Sequence, residues 1–215
     1  MPKIVDHDER RELIVDATWQ LIERGGFQRA TMREIAAEAG FAHGSLTRYF
    51  PDKESLLAAA FMRAHDRTND RVAAELHAER GLTALRRLCL EIMPIGRDRV
   101  QEARVVVAFW DRAIQDSQLW ESHRANALRW RSQMQTFLEQ ARADGEIAAF
   151  ESDEVIIDQI SAMNAGLQVL ALLMPDTTTE ERQLSALDAF LDHLRPGAGT
   201  VMPEGGPASG QQSHQ

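Results

Sequence analysis

Helix start and stop signals punctuate this chain almost from end to end, and between them apolar residues return every three or four positions. Asp6-His7-Asp8-Glu9 places a capping residue before an acid, and Ile14, Ala17, Leu21 and Ile22 follow at helical spacing until Gly25-Gly26. Phe27 is expected to pack back beneath that helix. Thr31-Met32-Arg33-Glu34 reads as a capping box opening a second helix with Met32, Ile35, Ala36 and Ala39 inward and Gly40 at its end. A third helix, His43 to Phe50, is stopped by Pro51, and Asp52 caps a fourth that runs from Lys53 to about Ala78. Further helices are expected near Thr83–Met93, Arg97–Asp116 and Gln118–Asp144. Ser152-Asp153-Glu154 opens an apolar helix to Met174, and Thr178 to Glu181 is a second capping box before a last helix to Leu194. No stretch alternates as a half-buried strand would, so the fold class is all-α.

Composition narrows the setting. With 215 residues and 44% hydrophobic content, the chain can fold as one domain or two small ones around a sizeable core. A single cysteine, Cys89 in Leu88-Cys89-Leu90, excludes an internal disulfide framework and reads as a buried small hydrophobe. No apolar run follows Met1-Pro2-Lys3, and stretches such as Leu167 to Pro175 are short for a bilayer, so a cytoplasmic protein with no membrane partner is expected. The net charge of −9 does not advertise a nucleic-acid partner. Over residues 29–53, Arg29, Arg33, Arg48 and Lys53 nearly balance Glu34, Glu38 and Asp52, so any DNA-binding face is a small patch.

The second and third helices, joined at Gly40 within a short span, have the shape of a helix-turn-helix. Leu46 and Phe50 lie one turn apart and form the buried side of the third helix. His43, Gly44, Ser45, Thr47, Arg48 and Tyr49 are then left outward, small or hydrogen-bonding residues that suit a major groove. The amides at Met32–Arg33 and Lys53–Glu54 emerge from helix N-termini, where partial positive charge favours phosphate, and Thr31, Arg33 and Lys53 add side chains there. Such contacts position a protein on DNA rather than specify sequence.

The run from Thr31 through Gly40-Phe41-Ala42-His43-Gly44-Ser45-Leu46-Thr47-Arg48-Tyr49-Phe50-Pro51-Asp52-Lys53 to Leu56 resembles the DNA-binding domain of TetR-type regulators. The resemblance implies a nine-helix fold: a DNA-binding helix-turn-helix domain over 1–52, an effector-binding and dimerisation domain over 53–195, and a homodimer on double-stranded DNA. It also implies DNA contacts from Thr31, Arg33, His43, Ser45, Thr47, Arg48, Tyr49 and Lys53, with Gly44 allowing close approach. Two positions depart from the family pattern. Ala42 stands where a Ser or Thr usually caps the third helix, a loss of about 1 kcal/mol locally. Thr47 stands where a tyrosine usually contacts DNA.

Beyond residue 81, Glu102-Ala103-Arg104, Ala108-Phe109-Trp110, Gly145-Glu146-Ile147 and Gly166-Leu167 are similar to segments of the choline-responsive BetI-type repressors. The resemblance implies an effector pocket among the middle helices and a two-fold helical bundle from the last two. Ile160, Met163, Leu167 and Leu170, with Leu187, Phe190 and Leu191, form the candidate dimer face, although the same residues would also serve an intramolecular core. For the effector, Met93, Phe109, Trp110, Trp130, Met134 and Met163 are candidates. The tryptophans, Trp120 included, either form a quaternary-ammonium cage with Glu102, Asp111 or Glu121 as counter-charge or belong to the core, while the methionines suit a larger apolar effector.

Nothing else carries chemistry. His7, His65, His77, His123 and His193 are scattered on faces expected to be solvated, with no metal-ligand spacing, and no catalytic or cofactor motif is present. Residues 196–215, rich in Gly, Pro, Ser and Gln, are expected to be a disordered tail. The chain therefore reads as a repressor released from a palindromic operator by a small-molecule effector, with no cofactor and no enzymatic activity. The alternative is an all-α enzyme or carrier whose helix pair only packs.

Overall fold

Local capping chemistry starts most helices in the computed structural model, which describes residues 7–26, 30–75, 79–148 and 151–197. Labels count α-helices only, so the fourth helical segment of the chain is α3. The helices are α1 (His7–Gly25), α2 (Met32–Glu38), a 3-10 helix (His43–Arg48), α3 (Lys53–Glu75), α4 (Gly81–Ile92), α5 (Gly96–Ala113), α6 (Ser117–Ala143), α7 (Asp153–Leu173) and α8 (Glu180–Leu194). Among the described residues there is no strand. The roles expected for Asp6, Phe27 and the tail from 198 onward lie outside the described residues, as does His77.

Thr31 and Glu34 form a reciprocal capping box on α2, as the spacing predicts. Asp52 accepts from the Ser55 amide at 2.7 Å and opens α3. Asp116 accepts from the amides of Gln118 and Leu119 on α6, and Ser152 from Val155 on α7. At α8 the cap is Thr179, which accepts from Arg182, one residue later than the expected Thr178–Glu181 box. Arg80, ahead of α4, has no capping side chain; the Glu146 carboxylate accepts from the Leu82 amide at 2.7 Å instead. An anion at that helix start also meets the favourable end of its dipole. Gly81, with φ +60, makes room for it, because a Cβ there would sit 2.4 Å from Glu146 Oε2.

Two cores result. The first joins α1, α2, the 3-10 helix and α3 through Ile14, Ile22, Ile35, Leu46, Phe50, Leu57 and Phe61, and extends into α5 and α6 through Val105, Phe109 and Leu119. Phe61 and Phe109 stack at 3.7 Å, so the head rests on the body through α3 and α5. The second gathers Leu85, Leu88, Cys89 and Met93 with Leu138, Ile156, Ile160, Leu187 and Leu191. Each such fully buried side chain contributes roughly 1.5–3 kcal/mol of burial energy.

Several expectations change here. Ile160, Leu187 and Leu191, expected at a dimer face, are at most 2% exposed within the chain's own core. His65 is buried and His123 half-buried, both packed against the Phe61 ring, so neither is a solvated surface group. By length and composition alone α7 could cross a membrane, contrary to the reading of short apolar runs. In the protein its Ile156, Ile160, Asn164, Gln168 and Ala171 are buried against the other helices.

Candidate nucleic-acid interface and internal cavity

The segment expected to be a short α-helix is a 3-10 helix of six residues. Ala42 provides no side-chain cap, while the hydroxyls of Ser45 and Thr47 donate to the carbonyls of Ala42 at 2.7 Å and Gly44 at 3.4 Å. These are i→i−3 bonds that suit the tighter winding. Leu46 and Phe50 are buried as expected, and Arg11 lies over the Phe50 ring at 4.2 Å. They anchor the short helix to α1.

Outward placement holds for Gly44, Thr47 and Arg48, which are exposed, and in part for half-buried Ser45. Thr31 and Arg33 are exposed at the start of α2. The His43 side chain lies outside the described residues. Tyr49 departs from expectation: its half-buried ring meets His7 at 4.7 Å and Phe41 at 6.0 Å, and Arg10 donates to its hydroxyl at 3.3 Å. It serves as a clamp between the 3-10 helix and α1 as much as an outward reader. Lys53 is half-buried, and burial followed by the nearby Arg112 charge holds its pKa below the ordinary lysine value against the pull of Glu54 and Glu34. The first-turn amides of α2 and α3 frame the 3-10 helix, so three anion-favouring features share one end of the head.

A second feature lies behind α3: a cavity of about 310 Å³ enclosed by α3 to α7. Ala64, His65 and Thr68 enter it from α3, and Glu102, Val106 and Trp110 from α5. From α6 come His123, Ala127, Trp130 and Met134, and from α7 Ser161, Asn164 and Gln168. Of the expected lining, Trp110, Trp130 and Met134 are there. Met93 and Phe109 are fully buried in the two cores, and Met163 packs against the second core. Glu102 lines the cavity, whereas Asp111 and Glu121 are exposed elsewhere.

The aromatic wall is interlocked: the His65 and Trp130 rings are 4.4 Å apart, and Trp130 Nε1 donates to Asn69 at 2.9 Å. Burial first, then His123 and Arg129, pushes the His65 pKa down to about 4, so its imidazole is neutral at physiological pH. Beside the cavity Arg71 of α3 binds Glu91 of α4 at 2.8 Å and Glu102 of α5 at 2.9 Å. Burial pulls the Arg71 pKa down, but bonds and charges from both carboxylates outweigh it and raise the value. Arg71 therefore fastens α3 to its neighbours. The residues that sequence reasoning missed are His65, Thr68, Asn164 and Gln168. Only the last two left a signal, as polar residues one turn apart in an apolar helix.

Residues 14–60 match the family described as bacterial regulatory proteins, tetR family, and residues 81–196 match the BetI-type transcriptional repressor, C-terminal family. The chain belongs to the TetR family. The HTH-type transcriptional regulator PksA of Bacillus subtilis is 29% identical over 192 residues, covering 85% of this chain and 88% of its own. An HTH-type regulator BetI of Escherichia coli O127:H6 is 31% identical over 133 residues, 60% of this chain and 68% of that one. In fold, a transcriptional regulator from Saccharomonospora viridis, crystallised in complex with choline, superposes with a TM-score of 0.80 at 22% identity, covering 86% and 97% of the two chains. This TetR-family protein is thus a transcriptional regulator with a DNA-binding helix-turn-helix head, and its relatives are regulators rather than enzymes.

Proposed function

We propose that this TetR-family regulator is a cytoplasmic homodimeric repressor that holds a palindromic operator and leaves it when a small-molecule effector fills the cavity. One observation carries the reading: α3 begins at Lys53, beside the reading helix, and supplies Ala64, His65 and Thr68 to the cavity. Those points are roughly 17–22 Å apart along one continuous helix. A ligand that favours a different tilt of α3 displaces the head, and it shifts DNA affinity only by its preference for one of the two states.

On the operator, Arg33, Lys53 and the first-turn amides with Thr31 hold phosphates. His43, Gly44, Ser45, Thr47 and Arg48 enter the major groove, with Tyr49 at its edge. Two heads related by the dimer axis read two half-sites. The dimer face is the outer side of α7 and α8. Val155, Leu170, Leu173 and Met174 are exposed there, and Met163, Leu167 and Phe190 are half-buried. Small Ala162, Ala165 and Gly166 allow close approach.

Gel shifts with the DNA upstream of the protein's own gene test this. Arg48→Ala is expected to weaken binding by about 1–3 kcal/mol, and Lys53→Ala to reduce the salt slope by about 0.9 for each phosphate it no longer neutralises. Unchanged DNA affinity in both variants refutes the assignment. A quaternary-ammonium effector is a second reading, favoured by Trp110, Trp130 and Glu102 on the cavity wall and by the choline in the S. viridis structure. Calorimetry with choline and betaine aldehyde decides it, since absence of heat with both at millimolar ligand removes the cage.

A further inference from the structure

Five side chains of the cavity wall each keep a buried polar atom that finds no partner in the protein. They are Nδ1 of His65 and of His123, Nε1 of Trp110, Oδ1 of Asn164 and Oε1 of Gln168. His65 and Asn164 are 5% exposed and Gln168 is 7% exposed, so bulk water does not serve them. Buried polar groups in native proteins are nearly always paired, and a wall that leaves several unmet around an empty space is shaped for something that meets them. Gln168 is held in place, because its amide nitrogen donates to the Ile92 carbonyl at 2.7 Å, the open end of α4. Its oxygen, with that of Asn164 one turn earlier, forms an acceptor row on α7, across the cavity from the rings of Trp110, Trp130 and His65.

The charges of the same wall are already paired. Glu102 accepts from Arg71 at 2.9 and 3.0 Å, Arg99 faces Glu91 at 3.7 Å and Arg131 binds Asp158 at 2.7 Å. Neither an ammonium nor a carboxylate would find a free counter-ion here. The neutral His65 agrees: a wall built for cations would pull its pKa up, and the groups around it do the opposite.

Building on the reading of this cavity as the effector site, we propose that the effector is an uncharged, ring-bearing molecule with a hydroxyl group, its ring among Trp110, Trp130 and His65 and its O–H donated to Asn164 and Gln168. This sets it apart from a quaternary amine, whose charge would remain unpaired.

The test uses the full chain with three probes: thymol, its methyl ether, which lacks the donor, and choline. Thymol is expected to raise the melting temperature and give calorimetric heat. The ether should bind about tenfold more weakly, the loss of one good hydrogen bond, and choline should do neither. Asn164→Leu should narrow the thymol-to-ether ratio to below about threefold. Ala127→Phe, which fills the cavity, should abolish thymol binding even if the first variant folds poorly. Equal binding of thymol and its ether, choline binding tighter than thymol, or undiminished thymol binding by Ala127→Phe each overturns the proposal. Operator affinity measured alongside separates the two claims. Choline that binds and releases DNA sinks the ligand class and leaves the effector cavity standing. Thymol that binds as expected without altering DNA affinity keeps the class and sinks release by such a ligand.

Discussion

Acid should loosen this protein through His65, and the structure gives the size of the effect. The imidazole is 5% exposed, 4.4 Å from the Phe61 ring and 4.4 Å from Trp130, with His123 and Arg129 as the neighbours whose positive charge opposes its own. Its pKa falls from the ordinary 6.5 to about 4 on folding. Below pH 6.5 the unfolded chain takes up a proton that the folded chain refuses, so stability is full above that value and drains away as pH falls toward 4. Between pH 7 and pH 5 the loss from this one group is about 2 kcal/mol. His123 is shifted the same way by burial and adds to it. Urea unfolding followed by circular dichroism at pH 7 and 5 measures the loss, at one fixed protein concentration because a dimer's stability depends on it. His65→Phe keeps a ring against Phe61 and Trp130 and cannot titrate. Its loss over the same interval should be smaller than that of the wild type by about 2 kcal/mol, with every other group cancelling between the two proteins. Identical losses in the two would refute the argument that a buried neutral imidazole sits there.

Arg71→Met should cost about 3–5 kcal/mol in urea, since it strands Glu91 and Glu102, whose side chains are only 9% and 12% exposed; a loss below about 1 kcal/mol would show that the pair is not held as described. Gly81→Ala combines φ +60 with a Cβ 2.4 Å from the Glu146 carboxylate and should cost about 1–3 kcal/mol, read as a lower melting temperature; an unchanged one would contradict the geometry. Cys89 is fully buried with its thiol pushed up to about 12, so a thiol reagent should label it slowly in the native protein and stoichiometrically in urea. Rapid native labelling would place that thiol elsewhere.

How far the sequence was readable follows from the range of the forces involved. Thr31 with Glu34, Asp52 with Ser55 and Ser152 with Val155 act across three residues, so a linear reading finds the helices they start. Leu46 and Phe50 gave away the inner side of the reading helix for the same reason. Its 3-10 winding was not legible, because Ala42 says only that a cap is missing, and the hydroxyls of Ser45 and Thr47 had several places to bond. The clamp on Tyr49 could not be foreseen either, since Arg10 and His7 come from another helix.

By itself the chain's order of residues determined the helical class, the helix starts and the identity of the DNA-reading segment, since caps, periodicity and motif spacing are properties of near neighbours. Tertiary structure alone decided which apolar residues of α7 and α8 face inward and which stay outside. Leu187 and Leu170 look alike in a helical pattern until the other helices cover one and leave the other exposed. The same packing took His65 from an apparently solvated face to a dry wall and put it beside Trp130, 65 residues away in the chain. It also brought Asn164 and Gln168 to face those rings. Long-range burial made the cavity, and burial is a property of neighbours in space.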